Sequence, residues 1–279
     1  MNYTEIVSDV LQKQPALVTT GLGFILLFFV LAVISIFDAT QILGINRWIK
    51  PMKFASSIGI FLLTVAVFLS FVRGYESSKL IVAWTMILTM IGEMIVIVLQ
   101  AARGTTSHFN TATGLDGALF GLMGTLIALN TLAAIYLLFL YFVAEINLPA
   151  PIVWGVRLGM ILFLMASVEG GVMLSQSSHS VGAADGGAGL PFVNWSSEAG
   201  DLRVAHFIGL HAMQILPVAA LAFVWLQDYF RQLNPTILTF VLALVYFAAF
   251  NFLFIQAMRG QPLWRIESAQ TNARQEFYK

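Results

Sequence analysis

No cysteine occurs in the 279 residues, which excludes disulfides, thiolate metal sites, Cys-ligated iron–sulfur clusters and c-type haem attachment. Charge is scarce too, at 10% of residues, where a soluble domain carries roughly 25%. The 14 basic and 14 acidic residues cancel, so no nucleic-acid partner held by bulk positive charge is expected. The last apolar segment has no lysine for a retinal Schiff base. Histidine boxes, a pair of histidines spaced by three residues, and phosphate-loop or dinucleotide fingerprints are all missing.

What fills the chain is apolar: 59% of residues are hydrophobic and the mean hydropathy is +0.85. The expectation is an integral membrane protein, a single all-α transmembrane bundle over residues 1–279 in a lipid bilayer. Seven segments reach the length that a span needs, about 20 residues. They run near 16–37, 56–72, 79–101, 117–143, 151–174, 204–227 and 235–257. The polar, acidic amino terminus and the length of the first apolar run indicate a retained span rather than a cleaved signal. The second segment is short and borrows length from its flanks. Pro217, inside the sixth, is expected to kink it and free backbone groups near the histidines.

Lys and Arg set the expected orientation. Connections 38–55, 102–116 and 175–203 and the tail hold Arg47, Lys50, Lys53, Arg103, Arg203, Arg259, Arg265, Arg274 and Lys279. The opposite side holds Lys13, Arg73, Lys79 and Arg231. Nine against four predicts an outside amino terminus, a cytoplasmic carboxyl terminus and residence in a bacterial inner membrane.

Polar side chains within spans are costly and mark candidate sites. The stretch DLRVAHFIGLHAMQILP carries His206 and His211, two of the chain's four histidines. With the predicted topology, His108 and His179 fall on the same face. At 1.5 Å per helical residue, His206 lies roughly 5 Å deep, His211 roughly 12 Å, Glu93 about 13 Å and Glu169 about 8 Å. Two carboxylates and two imidazoles thus share one slab. His206 and His211 are five apart, about 140° around a helix, so a regular helix does not aim both at one ion. The Gly-Gly pair after Glu169 allows a close backbone approach. Loop 175–203 is long enough to act as a lid, and Leu190, Pro191, Phe192, Val193 and Trp195 argue for an ordered one. The order Glu93, Ser107-His108, Asp116-Gly117 recurs faintly as Glu169, Ser178-His179, Asp185-Gly186, as a parallel repeat would.

The favoured expectation is a membrane enzyme with a metal or haem on the cytoplasmic side, an oxidoreductase rather than a hydrolase, acting on a lipid-like or quinone-like substrate. Glu93, Glu169, His206 and His211 are the candidate metal ligands, for iron, copper, manganese or zinc. Glu93, Glu169 and His206 are the candidate catalytic groups. A b-type haem would draw its ligands from His108, His179, His206 and His211. The same cluster could instead relay protons in a transporter, or its polar groups could only hold helices together in a non-catalytic subunit or lipid-binding scaffold. An oligomer or a partner subunit is compatible with each reading. Gly117, Gly121 and Gly124 read as a helix-packing stripe. Asn130, Asn251 and Gln256 read as inter-helix hydrogen-bonders. The segment NRWIKPMKF reads as a topology and lipid-headgroup anchor, with an anionic-substrate dock as its sharper alternative.

Overall fold

The computed structural model describes residues 3–265 other than 188 and 191. Pro191, Arg274 and Lys279, used above for the loop and the charge count, lie outside the described residues. A short helix α1 (Tyr3–Lys13) precedes seven long apolar ones: α2 (Pro15–Phe37), α3 (Ile49–Ser70), α4 (Glu76–Ala102), α5 (Gly114–Val143), α6 (Ala150–Ser175), α7 (Leu202–Gln227) and α8 (Pro235–Met258). All seven are long and apolar enough to cross a membrane. They carry large exposed hydrophobics such as Leu26, Phe37, Leu132 and Leu244, as lipid-facing surfaces do. The structure is an all-α membrane bundle.

Helix ends follow local chemistry. Pro15 and Pro235 open α2 and α8 within the first turn, where a missing N–H costs nothing. Thr113 caps α5 by accepting from the Asp116 N–H and returns its hydroxyl to the Asp116 carboxylate at 2.6 Å. The second span gains its length upstream: α3 starts at Ile49, with Pro51 in its first turn.

Two small hairpins escaped the sequence reading. Strands β1 (Gln41–Ile42) and β2 (Ile45–Asn46) pair after α2. Strands β3 (Ser180–Val181) and β4 (Gly200–Asp201) pair at the two ends of the long loop. Two-residue strands carry no periodicity to read. Nor was helix α1 foreseen.

The tightest packing joins α6 to α7. A Cβ at Gly159 would come within 2.6 Å of the Ala212 carbonyl, and one at Gly155 within 2.9 Å of that of Leu216. Only glycine permits such an approach. Helices α2 and α3 do the same through Gly21 and Gly59. In α5, by contrast, a Cβ at Gly117, Gly121 or Gly124 meets nothing within 4 Å. The expected packing stripe there has no partner among the described residues. Helix α7 runs unbroken through Pro217, where Gly155 of α6 packs against the proline.

Helices α3 and α4 have at most marginal backbone contact with α6 and α7; the two groups meet largely through side chains. Phe61 of α3 stacks on Phe163 of α6 with centroids 5.7 Å apart. Gln214 of α7 donates to the Thr64 hydroxyl of α3 at 3.3 Å, and Met160 and Met213 join the core built by α3 and α4.

Helix order places the connections 38–48, 103–113 and 176–201 and the segment after α8 at one end of the bundle, here the loop face. Arg47 donates to the Ala102 carbonyl and Lys53 to that of Val193, tying these segments together. At the opposite face Arg73 pairs with Glu145. Arg157 also serves that face, bonding the Tyr141 carbonyl at 2.7 Å and lying over the rings of Phe142 and Trp154.

Candidate functional site

The closest pairing among the predicted residues joins α6 and α7 near the loop face. His206 Nδ1 lies 2.9 Å from the Ala166 carbonyl oxygen and 3.2 Å from Glu169 Oε2. A carbonyl only accepts, so Nδ1 carries the proton and donates to it. In the neutral ring Nε2 is then an acceptor lone pair. Glu169 is 4% exposed, and its Oε1 is buried without a hydrogen-bond partner. Glycine at 170 leaves room for the ring: a Cβ there would sit 3.0 Å from His206 Cε1. Gly209, on the same helix as His206, lets α7 approach Ala166 and Phe250. The result is an imidazole oriented by a carbonyl and backed by a buried carboxyl, an arrangement that suits a general base or a single metal ligand.

His211 does not join it. Its Nδ1 donates to the Phe207 carbonyl at 2.7 Å, one turn back on its own helix, and its ring lies against Phe207 with centroids 4.0 Å apart. Trp195 of the long loop packs edge-on against Phe207 at 5.6 Å. The angle between positions 206 and 211 keeps the two imidazoles on separate faces, as the sequence predicts.

Glu93 is also apart from the pair. It is 3% exposed, its Oε1 is buried and unpartnered, and the charge acting on it is Lys50. Gln100, seven residues on along α4, belongs to a closed network instead. Gln100 donates to Asp116 at 2.9 Å, and Arg103 bonds both Gln100 and Asp116. Among the described residues no three His, Asp or Glu side chains are grouped as a metal would need. The pair supplies two donors, fewer than a metal site needs, so the fit to a metal is incomplete.

His108 and His179 both rest against Phe109, at 6.2 and 6.4 Å between centroids, and His108 also meets Phe54. Burial, reinforced by nearby Lys50 and by His179, holds the His108 imidazole well below its ordinary range. His179 Nδ1 is 3.0 Å from Asp185 Oδ1, and its backbone carbonyl accepts from the Leu202 N–H. Burial works against ionisation of Asp185, yet the bonds from His179, Ser178 and Ser180 and the His179 charge hold it below the usual carboxylate range. These two histidines staple loops to one another; neither shows a ring contact with His206.

Of the three polar residues expected to bridge helices, only Asn130 does so, donating to Thr89 at 3.0 Å. Asn251 bonds its own helix at Phe247, and Gln256 closes the turn to Pro262.

No protein family model, curated protein or solved structure matches this chain.

Proposed function

We propose that the chain is a membrane enzyme whose acid–base unit is His206 and Glu169, acting on the hydroxyl of a quinol-like or lipid-like substrate that arrives from the bilayer. The observation that carries this reading is the committed Nδ1 of His206, which presents Nε2 as a base near the loop face. Nε2 takes the substrate proton, and Glu169 Oε2 stabilises the imidazolium that forms. Loss of that proton prepares a quinol for oxidation, with its two electrons passing to a separate electron acceptor such as a haem- or metal-bearing partner subunit; with such a partner the chain would work as an oxidoreductase rather than a hydrolase. The loop face is assigned to the cytoplasm on its excess of Lys and Arg.

The relay of a proton-coupled transporter fits less well. Among the described residues, the buried side-chain oxygens without partners are Glu93 Oε1, Glu169 Oε1 and Gln214 Oε1, all on the loop-face side or mid-span. Towards the opposite face Tyr141 donates to the Phe68 carbonyl and Arg157 to that of Tyr141, which closes the polar groups on each other.

The test is a titration of detergent-purified protein with a short-chain quinol, read by tryptophan fluorescence. Trp195 touches Phe207, the neighbour of His206. Binding that falls about tenfold in His206→Gln, and changes its pH dependence in Glu169→Gln, supports the reading. Equal binding by wild type and His206→Gln, or none by either, removes it. Elemental analysis of the same sample tests the metal alternative: stoichiometric metal that disappears in His206→Ala would favour it.

A further inference from the structure

At the loop face, a second group of charges is left unmatched by its surroundings. Lys50 and Lys53 stand three residues apart in the first turns of α3, and with Arg203 they lie close enough to repel one another. Arg203 is matched by Asp201 at 2.6 Å, and Asp185 is taken by His179. Neither lysine forms an ion pair among the described residues. Lys53 donates only to the Val193 carbonyl at 3.2 Å. Lys50 has its Nζ 5.9 Å from the centre of the Phe54 ring.

Below them is Glu93, whose field reaches Lys50 without the two being in ion-pair contact. Its Oε1 is shut away from solvent and accepts nothing. The loop crosses above, held at Val193 by Lys53 and at Asn194 by Arg203. Phe54 and His108 form an aromatic wall, with ring centres 5.6 Å apart. Two unmatched cations beside a buried, unsatisfied carboxyl oxygen are costly in an empty site and become favourable once a ligand satisfies them.

We propose that Lys50, Lys53 and Glu93 form a binding site for a ligand carrying a phosphate or carboxylate with a hydroxyl or amine beside it. The two ammonium groups take the anion, and Glu93 Oε1 accepts the neighbouring donor. A phosphatidylglycerol headgroup and a soluble glycerol phosphate share this chemistry. The site is independent of the proton chemistry at His206 and stands if that reading fails.

The protein is placed in phosphatidylcholine nanodiscs containing phosphatidylglycerol or phosphatidic acid, and retained lipid is measured by native mass spectrometry. Glycerol 3-phosphate is titrated separately against protein in pure phosphatidylcholine discs. Wild type is expected to retain phosphatidylglycerol roughly tenfold better than the Lys50→Gln, Lys53→Gln double variant. The Lys50→Arg, Lys53→Arg variant and Arg73→Gln at the opposite face should match wild type. Glu93→Leu should lose the preference for phosphatidylglycerol over phosphatidic acid, which lacks the extra hydroxyl. Tight retention of lipid with no binding of glycerol 3-phosphate identifies a bilayer ligand; binding of glycerol 3-phosphate in the pure phosphatidylcholine discs identifies a soluble one. Retention by the double Gln variant equal to wild type, or binding of neither probe by wild type, overturns the site.

Discussion

A single hydrogen-bonded pair across α6 and α7 shows how much a polar group is worth inside this bundle. Glu169 is 4% exposed and, among the described residues, its only side-chain partner is His206. Side-chain hydrogen bonds between membrane helices average only about 0.6 kcal/mol, because the unfolded reference also finds partners. Deleting the imidazole costs more, since it leaves a buried carboxyl with neither oxygen bonded. His206→Ala is therefore expected to destabilise the protein by roughly 1–2 kcal/mol, and Glu169→Gln, which keeps an acceptor for Nδ1, by less. Denaturant unfolding in mixed micelles, followed by circular dichroism, measures both. If Glu169→Gln costs as much as His206→Ala, the charge of Glu169 matters to folding more than its bond does. This pair was legible in outline. Counting rise along a helix put both residues at similar depth, and counting rotation separated His206 from His211. Rotation between different helices was not countable, which is why Glu93, at a similar depth on α4, was expected in the same cluster.

The long loop behaves as an ordered strap because its ends are paired as β3 and β4 and its base abuts α8. A Cβ at Gly200 would fall 1.9 Å from the Ala257 carbonyl oxygen, a backbone atom that cannot step aside alone. Gly200→Ala should thus unseat the strap, seen as faster proteolysis and hydrogen exchange in 176–201 while the helices keep their protection. Unchanged exchange in the loop would mean that α8 shifts instead. The strap also meets loop 103–113 through His108, Phe109 and His179. His108 is held below its ordinary value of 6.5, so the unfolded or opened state binds the proton first. Its contribution to closure is complete above about pH 6.5 and is lost as pH falls from there towards the folded value. Asp185, held below 3.8, contributes above that value and loses its effect only as pH falls through its lower, folded value. Loop exchange, corrected for the intrinsic rate, should accelerate between about pH 7 and about pH 5 in wild type and lose that dependence in His108→Phe. None of this was visible in the Gly- and Ser-rich composition of the segment, because two-residue strands and one close glycine contact leave no pattern to count.

The seven spans were legible because lipid imposes one constraint on every residue of a crossing segment; predicted and observed ends agree within a few residues, the upstream start of α3 apart. What sequence could not supply was the division of the bundle, in which α3 and α4 meet α6 and α7 largely through side chains, since helix neighbours are set by contacts distant in sequence. Sidedness relative to the cell rests on the arithmetic of charge, and absence of cysteine makes it directly measurable. Leu43 lies in the turn between β1 and β2 on the loop face and is 51% exposed. Glu145 lies at the opposite face, its side chain 71% exposed. Among the described residues the loop face carries Arg47, Lys50, Lys53, Arg103, Arg203, Arg259 and Arg265, in short connections or near helix ends, where basic residues resist translocation. Leu43→Cys should therefore react with a membrane-impermeant maleimide only after the membrane is opened, and Glu145→Cys in intact cells. The reverse pattern would put the loop face outside, where the His206 base and the Lys50–Lys53 cluster would meet extracellular rather than cytoplasmic ligands. Labelling of both in intact cells would mean that the helices do not alternate across the membrane as their lengths require.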